Sequence, residues 1–120
     1  MATPASTSDA LVGLVQGAEK LGYRMRVSSG GVRSGHRDDG PGGHTGGKAI
    51  DLDGINGSPV GYNEQTWKFV ADMIEQGSVG SIGTIPEIAN DPQMQRHAAA
   101  RGVRLFADPG TGPHVHLQVR

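Results

Sequence analysis

The segment that most constrains this chain is one of its last, His114-Val115-His116-Leu117-Gln118-Val119. Its apolar residues recur at every second position, so a β-strand puts Val115, Leu117 and Val119 on one face and His114, His116 and Gln118 on the other. The apolar face has to be covered by other elements. Two imidazoles and a carboxamide then face outward, so the chain is committed to a sheet with one packed side and one side able to carry chemistry.

Composition narrows what can surround that sheet. Twenty glycines in 120 residues and only 4% aromatics imply many loops and an aliphatic core, a poor composition for a long helical bundle. The length suits one small domain, expected over residues 8–120 after a flexible leader at 1–7. Eleven Lys+Arg against 12 Asp+Glu leave a net charge of −1, which argues against a nucleic-acid partner. Cysteine is absent, which excludes disulfides, thiolate metal sites and cysteine nucleophiles, so any metal must be held by His and carboxylates. No run approaches the roughly 18 apolar residues of a membrane span, and the first residues lack the basic and apolar regions of a signal peptide. No membrane insertion is expected, and a monomer is favoured.

Taken in order, Leu11, Leu14, Val15, Ala18 and Leu21 form a helical stripe stopped by Gly22. Residues 23–28 alternate as a strand. Residues 29–43, rich in Gly, Asp and Pro, form a long irregular loop leading to His44, and long loops in compact domains are often functional. Residues 48–53 are expected as a second strand, with Ile50 and Leu52 inward and Ala49, Asp51 and Asp53 on the other face. Residues 54–62 read as turns. Asn63 caps a helix through Gln76, with Trp67, Val70, Ala71 and Ile74 as its stripe, Trp67 as the largest core candidate and Gly77 as its stop. Val79 and Ile82, flanked by Ser and Gly, suggest a short, weak strand. Asp91-Pro92 starts a helix that Gly102 ends, residues 103–106 form another short strand, and Asp108 belongs to the turn system before the last strand. The fold class is α+β: a small, mainly antiparallel sheet with about three helices, carrying a metal cleft on one sheet face.

His44 and Asp51, with His114-Val115-His116, are the residues that carry chemistry. Two imidazoles and a carboxylate from distant strands make an N,N,O set of the kind a catalytic zinc uses while keeping one position open. The same residue types also hold iron in non-haem oxygenases, but those sites sit in barrels of more strands than this chain offers. His36 in the long loop and His97 in the third helix are read as solvated or locally bonded, and Asp53 as a turn group. Asp38-Asp39 lacks the spaced oxygens of a calcium loop.

Arg33-Ser34 after Ser28-Ser29-Gly30, then His44-x-x-Gly47-x-Ala49-x-Asp51, then His114-Val115-His116, resembles the signature of the zinc D-alanyl-D-alanine carboxypeptidases and the phage endolysin L-alanyl-D-glutamate peptidases. These belong to the lysostaphin, D-Ala-D-Ala carboxypeptidase and hedgehog fold group. The resemblance spans about residues 23–53 and 103–119. It implies one Zn²⁺ on His44, Asp51 and His116, Arg33 as the cation for substrate and oxyanion, and His114 as the proton-handling residue. It also implies a peptide bond of the peptidoglycan stem as substrate, and a phage-encoded or virion-associated protein, or a domain of a larger cell-wall hydrolase, as the setting. Two positions depart from the pattern. Pro113 stands where many relatives carry an acid, and Gly31 looks like an extra residue before Arg33. The alternative is therefore a zinc-binding structural or binding module with weak or no hydrolysis.

Overall fold

The computed structural model describes residues 9–30, 49–108 and 112–119. The loop expected at 29–43, including Arg33 and His36, and the approach through His44 to Lys48 lie almost wholly outside these residues, as does the leader at 1–7. The described elements run α1 (Asp9–Lys20), β1 (Met25–Gly30), β2 (Ala49–Ile55), β3 (Ser58–Pro59), α2 (Glu64–Gln76), β4 (Val79–Thr84), α3 (Pro86–Ala89), α4 (Pro92–Ala100), β5 (Arg104–Ala107) and β6 (Val115–Val119). The fold is α+β, as expected.

The sheet order is β1-β2-β6-β4-β5, with β3 folded back on β2. All pairings are antiparallel except β4 with β5. A parallel pair needs a crossover, and here α3 and α4 supply it. Its final strand thus lies inside the sheet, between β2 and β4, although last in the chain.

Local sequence explains where most elements begin and end. Asn63 caps α2 by accepting from the Thr66 N–H at 2.9 Å, and its own amide donates to the Pro59 carbonyl at 3.1 Å. Gly77 ends that helix at φ +87°, a left-handed conformation that favours glycine. Asp91 caps α4 through the Met94 N–H at 3.0 Å, with Pro92 in the first turn.

Three features differ from the sequence expectation. The segment at 54–62 holds a tight hairpin, because Asn56 and Gly57 both adopt positive φ, the pattern of a two-residue turn that matches strand twist. On α2 the buried stripe is Thr66, Phe69, Val70, Met73 and Ile74; Trp67 and Ala71 are half-buried at its edge. Phe69, edge-on to Tyr23 at 5.0 Å, is the large aromatic of the core, and Trp67 is not. Finally β4, expected to be weak, is an interior strand with Val79, Ile82 and Thr84 fully buried. Its glycines lower its intrinsic preference for a strand, but ladders on both sides override that.

Helices α1 and α2 cover one face of the sheet. Leu11, Leu14 and Ala18 from α1 and Phe69, Val70, Met73 and Ile74 from α2 meet Ile50, Leu52, Ile82, Val115 and Leu117 there. Burying side chains of this size contributes about 1.5–3 kcal/mol each. That packing pins the strands and fixes which residues turn to the other face.

Candidate metal site

The site is built on the antiparallel pairing of β2 with β6, in which Asp51 lies directly opposite His116, Ile50 opposite Leu117 and Leu52 opposite Val115. The neighbours Ile50, Leu52, Val115 and Leu117 are buried in the core, so strand alternation turns Asp51 and His116 together to the opposite face. A one-residue slip would expose four aliphatic side chains, so the register is firmly held.

Asp51 Oδ1 and His116 Nδ1 are 3.0 Å apart, with the two side chains only 15% and 12% exposed. Without a metal this contact is a hydrogen bond in which Nδ1–H donates to the carboxylate. Ligand bonds of about 2.0–2.2 Å around tetrahedral Zn²⁺ would set neighbouring donor atoms about 3.3–3.6 Å apart. The pair therefore has both the donor chemistry and nearly the spacing of one edge of such a site. Asp51 and His116 fit the group, and the third expected ligand, His44, lies outside the described residues. Among the described residues no three acidic or imidazole groups converge on one point.

His114 sits just before β6, and both its ring nitrogens have partners. Nδ1 donates to the Gly112 carbonyl at 2.8 Å, and Nε2 lies 3.1 Å from Asp108 Oδ2. Burial opposes charge on the ring. The hydrogen bonds to Gly112 and Asp108, with the attraction of the Asp51 and Asp108 carboxylates, outweigh it and raise the His114 pKa above its ordinary 6.5. The Thr84 hydroxyl donates to the His114 carbonyl at 3.1 Å, and the Asp108 N–H to the Thr84 carbonyl at 2.8 Å, so β4 ties both ends of the pair.

The neighbouring strands complete the surroundings. Gly83 on β4 pairs with His116, and a Cβ there would lie 2.6 Å from the Phe106 ring and 2.9 Å from Asp108 Cβ. Without that Cβ, Phe106 can lean over β4 to within 6.1 Å of the His116 ring, between ring centres. Arg104 lies against Phe106, its guanidinium 4.7 Å from the ring centre.

Other expected residues have ordinary partners. Asp53 accepts from Arg26 Nε at 2.6 Å, and His97 Nε2 lies 3.1 Å from Glu75 Oε1. Two surface pockets are lined in part by these groups, one of about 210 Å³ beside Arg24 and Arg26 and one of about 600 Å³ beside Trp67 and His97. Neither is lined by Asp51, His114 or His116. The residue that sequence reasoning undervalues is Asp108. The sequence places it chiefly in a turn with a minor supporting role at the site, and its signal is its place at the end of a strand shortly before His114.

No protein-family model, curated protein or solved structure matches this chain. Among the described residues no helix is long and apolar enough to cross a membrane.

Proposed function

We propose that this chain is a zinc-dependent peptidase that hydrolyses a peptide bond in bacterial peptidoglycan stem peptides, as a carboxypeptidase or endopeptidase. The observation that carries the reading is the cross-strand pair Asp51–His116, two metal-type donor atoms 3.0 Å apart on the face turned away from the core. The sequence resemblance adds His44 as third ligand, Arg33 as the cation and the peptidoglycan peptide as substrate.

When bound, Zn²⁺ supplies a Lewis acid that polarises the scissile carbonyl and makes a water acidic enough to attack near neutral pH. Asp51 and His116 would hold the ion, and the buried faces of β2 and β6 keep the two side chains from moving apart. His114 handles the proton: its Nδ1–H is tied to the Gly112 carbonyl, so Nε2 is the nitrogen that takes a proton and returns it to the leaving amine. Arg33 supplies a fixed positive charge for the substrate carboxylate or the developing oxyanion, in a planar fork that lysine lacks.

The test is release of peptide fragments from purified peptidoglycan, read by mass spectrometry with zinc and with a chelator. Fragments that appear only with zinc support the reading, and their masses identify the bond cut. A zinc-holding module without efficient hydrolysis is the second reading. It is favoured by Pro113 at the position where many members of the family the sequence resembles carry an acid and by the engagement of both His114 nitrogens. One equivalent of bound zinc with no fragment release would select it.

A further inference from the structure

The registers of the sheet set the Asp51–His116 pair in a lateral row that continues beyond it. Asp51 lies opposite His116, His116 opposite Gly83, and Gly83 beside Phe106, so one row crosses β2, β6, β4 and β5. A second row, two residues along the strands, runs through Gln118, Ser81 and Arg104 on β6, β4 and β5. Leu105 between Arg104 and Phe106 is buried in the core, so alternation turns both of its neighbours to the face that carries the pair.

The Phe106 ring reaches toward His116 because position 83 has no side chain. A Cβ there would lie 2.6 Å from the ring, closer than real Cβ atoms come. In the space left by Gly83 the ring stands 6.1 Å from the His116 ring, between centres, and Arg104 lies over it with its guanidinium 4.7 Å from the ring centre. These two contacts in series keep the guanidinium within about 11 Å of the His116 ring centre, the span of about three extended residues at 3.3–3.6 Å each.

Arg26 on β1 shows the contrast. Its Nε donates to Asp53 at 2.6 Å, so its charge is already matched. Among the described residues Arg104, exposed on the edge strand, has no carboxylate partner. An aromatic ring attracts a guanidinium as a cation but does not use up the planar fork of N–H donors, which matches a carboxylate in two parallel bonds.

We infer that Arg104, held over Phe106, is a specificity residue that reads a carboxylate of the substrate two or three residues from the bond that is cut. The inference deepens the peptidase reading and rests on it for the identity of the substrate. It adds a second cation to the site, on the β5 side, supplied by a different part of the chain from Arg33.

The test titrates the metal-free full chain with a synthetic stem tetrapeptide and with forms of it in which one carboxylate at a time is an amide. The same set is then run as steady-state hydrolysis with zinc. The wild type should prefer the acid to one of the amides by about tenfold in Kd, and the preference should shrink at about 1 M salt, where charges are screened beyond about 3 Å. Arg104→Gln should bind the acid and that amide alike. Arg104→Lys, which keeps the charge without the fork, should keep part of the preference, and Arg104→Glu should reverse it. With zinc, Arg104→Gln should raise KM for the acid about tenfold and leave kcat within about twofold. Arg104 is exposed at the sheet edge, so these substitutions leave the core intact.

A wild type that treats the acid and every amide alike overturns the inference, and so does a preference that Arg104→Gln retains in full. A fall in kcat at constant KM overturns it as well. An Arg104-dependent preference in a protein that releases no peptidoglycan fragments with zinc bound keeps the carboxylate site and removes only the peptidase reading. Fragment release without that preference does the reverse.

Discussion

Two polar clusters of this protein invite comparison, because they use similar residue types to opposite ends. On the helix-covered side, the Tyr23 hydroxyl donates to Asp72 Oδ2 at 2.5 Å, and Lys68 Nζ donates to both the Tyr23 oxygen and Asp72 at 3.0 Å. One permanent cation, one carboxylate and one phenol close on themselves and join α2 to the start of β1. On the other side stand Asp51 with His116 and Asp108 with His114. Each of these pairs joins a carboxylate to an imidazole, whose charge depends on a proton. A closed cluster of the first kind stabilises, whereas the carboxylate–imidazole pairs carry the donor atoms and exchangeable protons on which the proposed chemistry draws.

The sharpest way to break that contrast is to remove an end of the Asp51–His116 pair. Asp51→Ala and His116→Ala, with His44→Ala beside them, are expected to lose the bound zinc and with it all hydrolysis, measured by elemental analysis after dialysis against free zinc. A full equivalent of zinc retained in Asp51→Ala would make the pair an ordinary hydrogen bond. The next effect is catalytic only. His114→Ala should keep its zinc and lower hydrolysis by about 10²–10⁴-fold, the range for loss of a general acid-base group. An unchanged rate removes His114 from the chemistry.

The two clusters also differ in how far the sequence discloses them. Local signals were legible: the caps Asn63 and Asp91, the stops Gly22, Gly77 and Gly102, and the alternation that turns His116 to one face of β6 all depend on residues a few positions apart. The same alternation in residues 48–53 points Asp51 to the correct side, and the β2–β6 register then makes them opposite neighbours. What was not legible depends on strands meeting. The stripe expected on α2 shares Val70 and Ile74 with the buried one, but the sheet selects Phe69 and Met73 where the sequence suggests Trp67 and Ala71, which lie half-buried at the edge. Gly83 looks like a weakness in β4 until β5 lies beside it and Phe106 needs the space. Asp108 looks like a turn residue for the same reason, since its partner is set by the β4–β6 pairing and by nothing adjacent in sequence.

The closed cluster can be tested without reference to function. Tyr23 is 3% exposed, and Tyr23→Phe removes the hydroxyl that joins Asp72 to Lys68 while keeping the ring against Phe69. Loss of a hydrogen bond to a charged partner costs about 1.5–3 kcal/mol when fully buried and less in this part-buried cluster, where Lys68 still pairs with Asp72; the effect is expected as a lower urea midpoint at unchanged slope. Hydrolysis should not change. A variant as stable as the wild type but slower would reverse the roles assigned to the two sides.

The smallest effect, and the one that sharpens the contrast most, is the dependence of metal-free stability on pH. Burial raises the Asp72 pKa, but the hydrogen bonds from Tyr23 and Lys68 outweigh it and leave the carboxyl below its ordinary 3.8. A group held below its unfolded value contributes stability above that value and loses it as pH falls through the folded one, so Asp72 weakens the helix-side cluster in acid below about 3.8, while Tyr23, raised above its ordinary 10.0, acts only in strong alkali. His114 has the opposite sign. Its pKa in the folded chain lies above 6.5, so its contribution is complete below 6.5 and is lost as pH rises through the folded value. Urea midpoints measured in chelator should therefore fall on both sides of a plateau, with separate causes. Below pH 10, Tyr23→Phe should shift the acid limb alone, and Asp108→Asn the limb above pH 6.5 alone. Both limbs moving together in either variant would mean that the two clusters are coupled through the sheet, and that the face carrying the metal donors is not independent of the packing that holds it.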